Sequence, residues 1–202
     1  MKLFYAVSSC ALGIRILLEE IGAPYNLVTL KLAEAQQRAP EYLAVNPKGK
    51  VPALIRPDGR LLTEYPLISL WLAQNFPEAG LLPENPDDLW SAMELVEYVV
   101  SSLHMRGATL AMRPDKFLQD PKAQAELAEG GRAVLRDGFA QLESRLAGRE
   151  FFFERFTIAD AALFYVLNWK ARIGMDLPAG LDAYHARLSA RPSIARAMAL
   201  PA

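Results

Sequence analysis

The chain is poor in the residues that build covalent or metal-based frameworks. It has one cysteine, Cys10, and two histidines, His104 and His185, among 202 residues. A lone cysteine excludes an intrachain disulfide and fits a reducing compartment, so the expected location is the cytoplasm. Two histidines so far apart in sequence offer no ligand cluster, and no metal is expected. Charge of one sign is also missing, since 22 Lys and Arg stand against 23 Asp and Glu for a net charge of −1. Nothing in that balance attracts a phosphate backbone or anionic lipid, so neither nucleic acid nor a membrane is an expected partner. The longest apolar run, Ala161 to Leu167, falls far short of the roughly 20 residues that cross a bilayer. The apolar start, Leu3 to Val7, is shorter than the about 7 to 15 residues of a signal h-region. No Gly-rich phosphate loop occurs. What is present, 52% hydrophobic and 22% charged residues, is the composition of a globular protein with a small ligand.

Leu3 to Val7 reads as a strand covered on both faces, and Tyr25 to Leu30 as a second strand. Between them Ile14, Leu17, Leu18 and Ile21 recur at helical spacing, with Arg15, Glu19 and Glu20 opposite and Gly22 as the stop. This is a βαβ unit, which implies parallel pairing. Val51 to Ile55 and Leu61 to Thr63 flank Arg56-Pro57-Asp58-Gly59, a type I turn signature, and form a hairpin. A helix follows with Leu67, Leu70 and Trp71 on one face, broadened by Ile68 and Leu72.

Pro77, Gly80, Pro83 and Pro86 then mark a linker, which divides the chain into domains at 1–76 and 87–202. The second domain shows no strand pattern. Trp90, Met93, Val96, Val100 and Leu103 line one helix, Leu135, Phe139, Leu142 and Leu146 another, and a helix from Ile158 to about Arg172 is apolar nearly all round. Thr157-Ile158-Ala159-Asp160 spells a capping box at its start, with a structural role. The expected fold class is therefore α/β followed by all-α.

Several residues could carry chemistry. Cys10 falls where the first strand gives way to the first helix, where helix amides and the positive dipole end favour a thiolate; the alternative is a small buried hydrophobe. Tyr5, Ser8 and Ser9 bracket the same strand end as hydroxyl donors, or else Tyr5 packs in the core and the serines cap the helix. A cis Val51-Pro52 bond would present the Val51 backbone to a peptide in strand-like fashion, but spacing alone does not decide the isomer. Glu64 precedes Tyr65-Pro66, with Pro66 expected at the first helical position; a carboxylate beside free amides suits a zwitterion, or simply complements the helix dipole. His104 lies near an apolar helix face, as a core histidine or a catalyst.

Five separated segments, Met1-Lys2-Leu3-Phe4-Tyr5 followed by Cys10, Asn46 to Leu54, Thr63-Glu64, Ser101 with His104, and Arg155 to Asp160, resemble the glutathione S-transferases in order and spacing, most closely the bacterial Beta class. The resemblance implies a thioredoxin-like N-terminal domain, an all-helical C-terminal bundle, a homodimer, and glutathione as co-substrate. It implies a cis bond before Pro52, pairing of Val51 with the cysteinyl part of glutathione, Glu64 and the Tyr65 amide at the γ-glutamyl end, and Cys10 facing the thiol. Ser101 and His104 would line the site from the helical domain, Ser101 through the partner subunit. A mixed disulfide between Cys10 and glutathione is a further property of the class.

The chain also departs from the family pattern. Val7 and Ser8 replace proline and glycine, Ala11 a serine, Ala35 and Met105 lysines, Glu97 an asparagine, Tyr65 a glycine or serine, and Leu67 an alanine. Hydrogen bonds to charged groups contribute roughly 1.5–3 kcal/mol each, so two absent lysines imply glutathione binding weaker by about two or more orders of magnitude. Lys31, Lys48 and Arg106 are the cations available to substitute. The leading reading is a transferase that stabilises the glutathione thiolate near Cys10 for attack on a small hydrophobic electrophile, with Tyr5, Ser9 and His104 as second-choice donors. A variant reading makes Cys10 the nucleophile of thiol–disulfide exchange. The alternative from another class is a non-catalytic binding or interaction protein of the same fold with weakened glutathione affinity.

Overall fold

The computed structural model describes residues Met1–Ala199. Its contacts divide the described residues into two compact units, Met1–Leu82 with the segment from Arg191 onward, and Pro83–Ala190. That division places the last helix with the first unit, whereas the sequence reading ran the helical domain through to residue 202.

The first unit is built on a four-stranded sheet of order β2-β1-β3-β4. β1 (Lys2–Tyr5) pairs parallel with β2 (Asn26–Thr29), across α1 (Ala11–Ile21). β3 (Ala53–Ile55) runs antiparallel to β1 and to β4 (Leu61–Thr63), closing the expected hairpin through a Gly59 N–H to Arg56 carbonyl bond of 3.0 Å. A short helix, α2 (Pro40–Val45), sets Tyr42 against Phe4, their ring centroids 5.2 Å apart. α3 (Tyr65–Asn75) follows β4. α1 stops where expected, with Gly22 at φ 69° and its N–H bonded to the Leu18 carbonyl. Glycine meets that left-handed angle without a Cβ penalty.

Three expectations for this unit are corrected. β1 ends at Tyr5, and Val7, beyond it, is 50% exposed rather than covered. The polar face of α1 is not solvated: Arg15 is only 7% exposed. The last helix of the unit brings arginines to that face, with Arg196 Nε 2.9 Å from Glu19, Arg191 and Ser193 bonded to Glu20, and Arg15 reaching the Arg196 carbonyl at 3.3 Å. In α3 the core residues are Ile68, Ser69, Leu72 and Ala73, while Leu67 is 54% exposed. Leu67 to Leu72 carries five large apolar residues in six, so periodicity did not select the buried face.

The second unit is helical. α4 (Pro86–Glu97) starts on Asn85, whose side chain accepts from Asp87 N at 3.1 Å. It passes into an eleven-residue π-helix, Tyr98–Ala108, and then α5 (Thr109–Met112). Ala92, Leu95, Val96, Val99 and Leu103 are buried, while Trp90, expected in the core, lies about a third of a turn away from Val96 and is 73% exposed. α6 (Pro121–Leu146) buries Leu135, Phe139, Leu142 and Leu146 as read from sequence. α7 (Ile158–Leu167) is buried at every position. It ends before Arg172, and a separate turn, α8 (Lys170–Ile173), follows the break at Asn168 and Trp169. α9 (Ala179–Ser189) completes the unit, and α10 (Pro192–Met198) is the helix packed on α1.

The capping box at α7 is closed: Asp160 accepts from Thr157 N at 2.7 Å, and Thr157 Oγ1 accepts from Ala159 N at 3.3 Å. Asp160 also accepts from the Tyr184 hydroxyl at 2.5 Å and from Phe152 N at 3.4 Å, so it knits three segments together inside the core. Burial raises its carboxyl pKa, and those donors oppose the rise.

Candidate functional site

Strand directions gather the chemistry of the first unit at one edge. Because β2 is parallel to β1, β3 antiparallel to β1 and β4 antiparallel to β3, the ends of β1, β2 and β4 and the start of β3 share that edge. Cys10, Lys48, Val51, Glu64 and Tyr65 all sit on the segments that meet there.

Cys10 is the N-cap of α1, and its thiol donates to the Val51 carbonyl across 3.7 Å. Val51 lies just ahead of the paired part of β3, and the Val51–Pro52 bond is cis. The half-buried Cys10 does not become an easy thiolate. Burial of the sulfur pushes its pKa up to about 12; the amides of Cys10 and Ala11 oppose this, the Glu64 charge adds to it, and Lys50 opposes it. The helix-end effect read from the sequence is present, and desolvation outweighs it.

Glu64 caps α3 with φ 70°, a left-handed angle uncommon for a residue with a Cβ. Its carboxylate does not turn back onto the helix amides but meets Lys48, Nζ to Oε1 2.6 Å, while Lys48 also reaches Thr63 Oγ1 at 2.9 Å. Lys48 is presented by a loop held by Asn46, whose side chain accepts from Lys48 N at 3.2 Å and donates to the Lys50 carbonyl at 2.9 Å. Gly49 makes that loop possible, since at φ +59° a Cβ would stand 2.9 Å from the Gln37 carbonyl oxygen. α3 begins at Tyr65, one residue before the expected Pro66.

The sequence assigns a role to the Tyr65 amide alone; its phenol is buried, and burial first, then the charge of Cys10, raise its pKa well above the ordinary value. A tyrosine where the family has a small residue was the available signal.

The second-choice donors of the first unit, Tyr5 and Ser9, have partners of their own. Tyr5 is buried against Arg15, whose guanidinium lies over its ring at 5.5 Å; burial raises the phenol's pKa, and Arg15 opposes the rise. Ser9 donates to the Ala6 carbonyl at 2.7 Å and accepts from Ala11 N at 3.2 Å, which is a helix-capping role. Val7 and Leu32 line a cavity of about 330 Å³ with Leu30.

In the helical unit, His104 Nδ1 stands 3.4 Å from the Tyr165 hydroxyl, and its ring meets Trp169 edge-on at 4.9 Å. Ser101 is exposed, donates to the Glu97 carbonyl at 2.8 Å, and lines a cavity of about 500 Å³ with Tyr98 and Arg145. Among the described residues, no three His, Cys, Asp or Glu side chains are grouped to hold a metal, and no helix is long and apolar enough to cross a membrane.

A family model described as Glutathione S-transferase, N-terminal domain, matches residues 7–75, and one described as Glutathione S-transferase, C-terminal domain, matches 124–196. The chain is 37% identical to Glutathione S-transferase GstA of Escherichia coli O157:H7, over 98% of this chain and 97% of that protein. The fold is similar to a Beta class glutathione S-transferase of Sphingomonas chungbukensis, with a TM-score of 0.84, 30% identity, and 98% and 97% of the two chains covered. A sphingomonad glutathione S-transferase complexed with glutathione is also similar, with a TM-score of 0.83, 32% identity, and 98% and 97% covered. The protein belongs to the glutathione S-transferase family, with a thioredoxin-like N-terminal domain and a helical C-terminal domain.

Proposed function

We propose that the protein binds glutathione along the Val51 edge and adds its thiolate to small hydrophobic electrophiles, with Cys10 as a neutral thiol donor. The supporting observation is the placement of the Cys10 thiol on the Val51 carbonyl, where a cysteinyl residue laid along that edge would bring its sulfur. With burial pushing its pKa up to about 12, Cys10 holds its proton at neutral pH and can share it. In this reading glutathione loses its thiol proton to solvent. Its sulfur accepts a hydrogen bond from Cys10 and attacks the electrophile; a carbon–sulfur bond forms and the leaving group departs with its electron pair. Positioning and stabilisation of a charged nucleophile supply the rate.

Residues 1–76 form the proposed glutathione-binding domain, with Val51, Pro52, Glu64 and the Tyr65 amide as ligand contacts. The apolar surface of Val7 and Leu32 favours a hydrophobic electrophile. The helical domain over 87–202, the roles of Ser101 and His104, homodimerisation and a cytoplasmic location enter by family resemblance. High thiol pKa counts against the variant in which Cys10 attacks disulfides itself.

A non-catalytic binding role is the second reading. It is favoured by Ala35, exposed at φ 55° with no charge to offer, and by Met105, exposed where the family has lysine. Retention on immobilised glutathione and conjugation of a generic aryl halide separate the two. The transferase reading expects both; neither retention nor turnover at millimolar glutathione selects the binding protein. Replacing Cys10 with alanine should lower conjugation by about 10²-fold, the usual loss of one donor to a developing anion. Conjugation that survives unchanged would remove Cys10 from the activating role.

A further inference from the structure

The residue just ahead of Val51 is held by two side chains to which the proposed function gives no task. Tyr42 and Asn46 stand four residues apart across the end of α2, a spacing that brings both side chains to one side of the helix. Both are buried, and both donate to a single acceptor, the Lys50 carbonyl. The Tyr42 hydroxyl reaches it at 2.5 Å and the Asn46 amide at 2.9 Å. Neither donor is loose: the Tyr42 ring packs against Phe4, and the Asn46 oxygen accepts from Lys48 N, which fixes the orientation of its amide.

The Lys50–Val51 peptide is trans, and in a planar trans peptide the C=O and N–H point in opposite directions. Holding the Lys50 carbonyl toward α2 therefore turns the Val51 N–H away from α2. Among the described residues no backbone carbonyl accepts from that N–H, whereas the Val51 carbonyl already receives the Cys10 thiol. The edge keeps one aimed donor for a ligand. We infer that Tyr42 and Asn46 are positioning residues, which act through the Lys50 carbonyl to point the Val51 N–H at the carbonyl of the ligand's cysteinyl residue. This rests on the glutathione reading above and adds to it two residues that do not themselves touch the ligand. Burial raises the pKa of the Tyr42 phenol and Asn46 opposes the rise, so the hydroxyl keeps its proton at neutral pH.

The test is calorimetric titration of the full chain, Tyr42→Phe and Asn46→Asp with glutathione, paired with amide spectra of each protein carrying isotope-labelled valine. Tyr42→Phe removes one donor and keeps the ring against Phe4. Asn46→Asp keeps the acceptor for Lys48 N but sets a carboxylate oxygen against the Lys50 carbonyl. Should Asn46→Asp fail to fold by its urea midpoint, Tyr42→Phe decides alone. Glutathione should bind about 3- to 10-fold more weakly to Tyr42→Phe and about tenfold or more weakly to Asn46→Asp, the scale of a lost hydrogen bond and of one replaced by repulsion. In the unaltered chain the Val51 amide proton should move downfield on saturation with glutathione, and in the variants that movement should shrink. Binding to Tyr42→Phe within about twofold of the unaltered chain overturns the positioning role and leaves the glutathione reading standing. So does weaker binding with the Val51 movement undiminished, because the loss then arises elsewhere. Absence of glutathione binding by the unaltered chain, or binding that leaves its Val51 amide unmoved, is a different result; it overturns the reading of the Val51 edge and the positioning role with it.

Discussion

The thiol of Cys10 rests 3.7 Å from the carbonyl of Val51, a residue 41 positions away in sequence. The contact joins the start of α1 to the entry of β3. Burial, not the helix end, dominates the titration of Cys10.

Alkylation of Cys10 by iodoacetamide should therefore be slow at neutral pH in the free protein. Its rate should keep rising tenfold per pH unit beyond pH 9, without the plateau that an ordinary thiol shows near about 8.5. A plateau below pH 8 would mean that helix amides outweigh desolvation, and Cys10 would become a candidate nucleophile.

The packing of α6 makes a paired prediction about adjacent glycines. A Cβ on Gly131 would stand 2.6 Å from the Gly107 carbonyl oxygen and 2.7 Å from Ala111 N, both backbone atoms, whereas one on Gly130 meets nothing within 4 Å. Gly131→Ala should destabilise the protein by about 1–3 kcal/mol through overpacking. Gly130→Ala should stabilise it by about 0.5–1 kcal/mol, because alanine loses less backbone entropy in a helix. Urea midpoints of the two variants check this; similar values for both would mean that α6 does not approach the π-helix as described.

His185 carries a pH prediction. Burial lowers its pKa, with Lys170 adding and Asp182 opposing, and its ring stacks on Phe164 at 5.0 Å. The unfolded chain then binds a proton near pH 6.5 that the folded chain takes up only at lower pH, so stability rises with pH across that interval. Stability should fall as pH drops below about 6.5 and level off once the folded histidine is protonated. In His185→Gln that component of the slope should vanish; an unchanged slope would assign it to other groups.

Much of the fold was legible because the signals were local. Gly22, the Arg56 to Gly59 turn and the Thr157–Asp160 box each act within a few residues, and each occurs as read. The failures share a physical origin in distance. Arg15, Glu19 and Glu20 read as a solvated face because the arginines that cover them come from α10. Trp90 falls off the buried face because two successive three-residue steps, Trp90 to Met93 to Val96, drift about 60° each in a helix of 3.6 residues per turn. Leu67 was misassigned because an all-apolar helix has no face to read. At the candidate site the residue types were legible, but the raised pKa of Cys10, the buried phenol of Tyr65 and the closure of Lys48 on Glu64 depend on tertiary packing.

The most direct measurement is a crystal structure of the protein with glutathione bound. The proposed function predicts the cysteinyl backbone paired with Val51 and the ligand sulfur about 3.5–4 Å from Cys10 Sγ, within reach of a thiol donor. Glutathione bound away from the Val51 edge, or with its sulfur turned from Cys10, would contradict it.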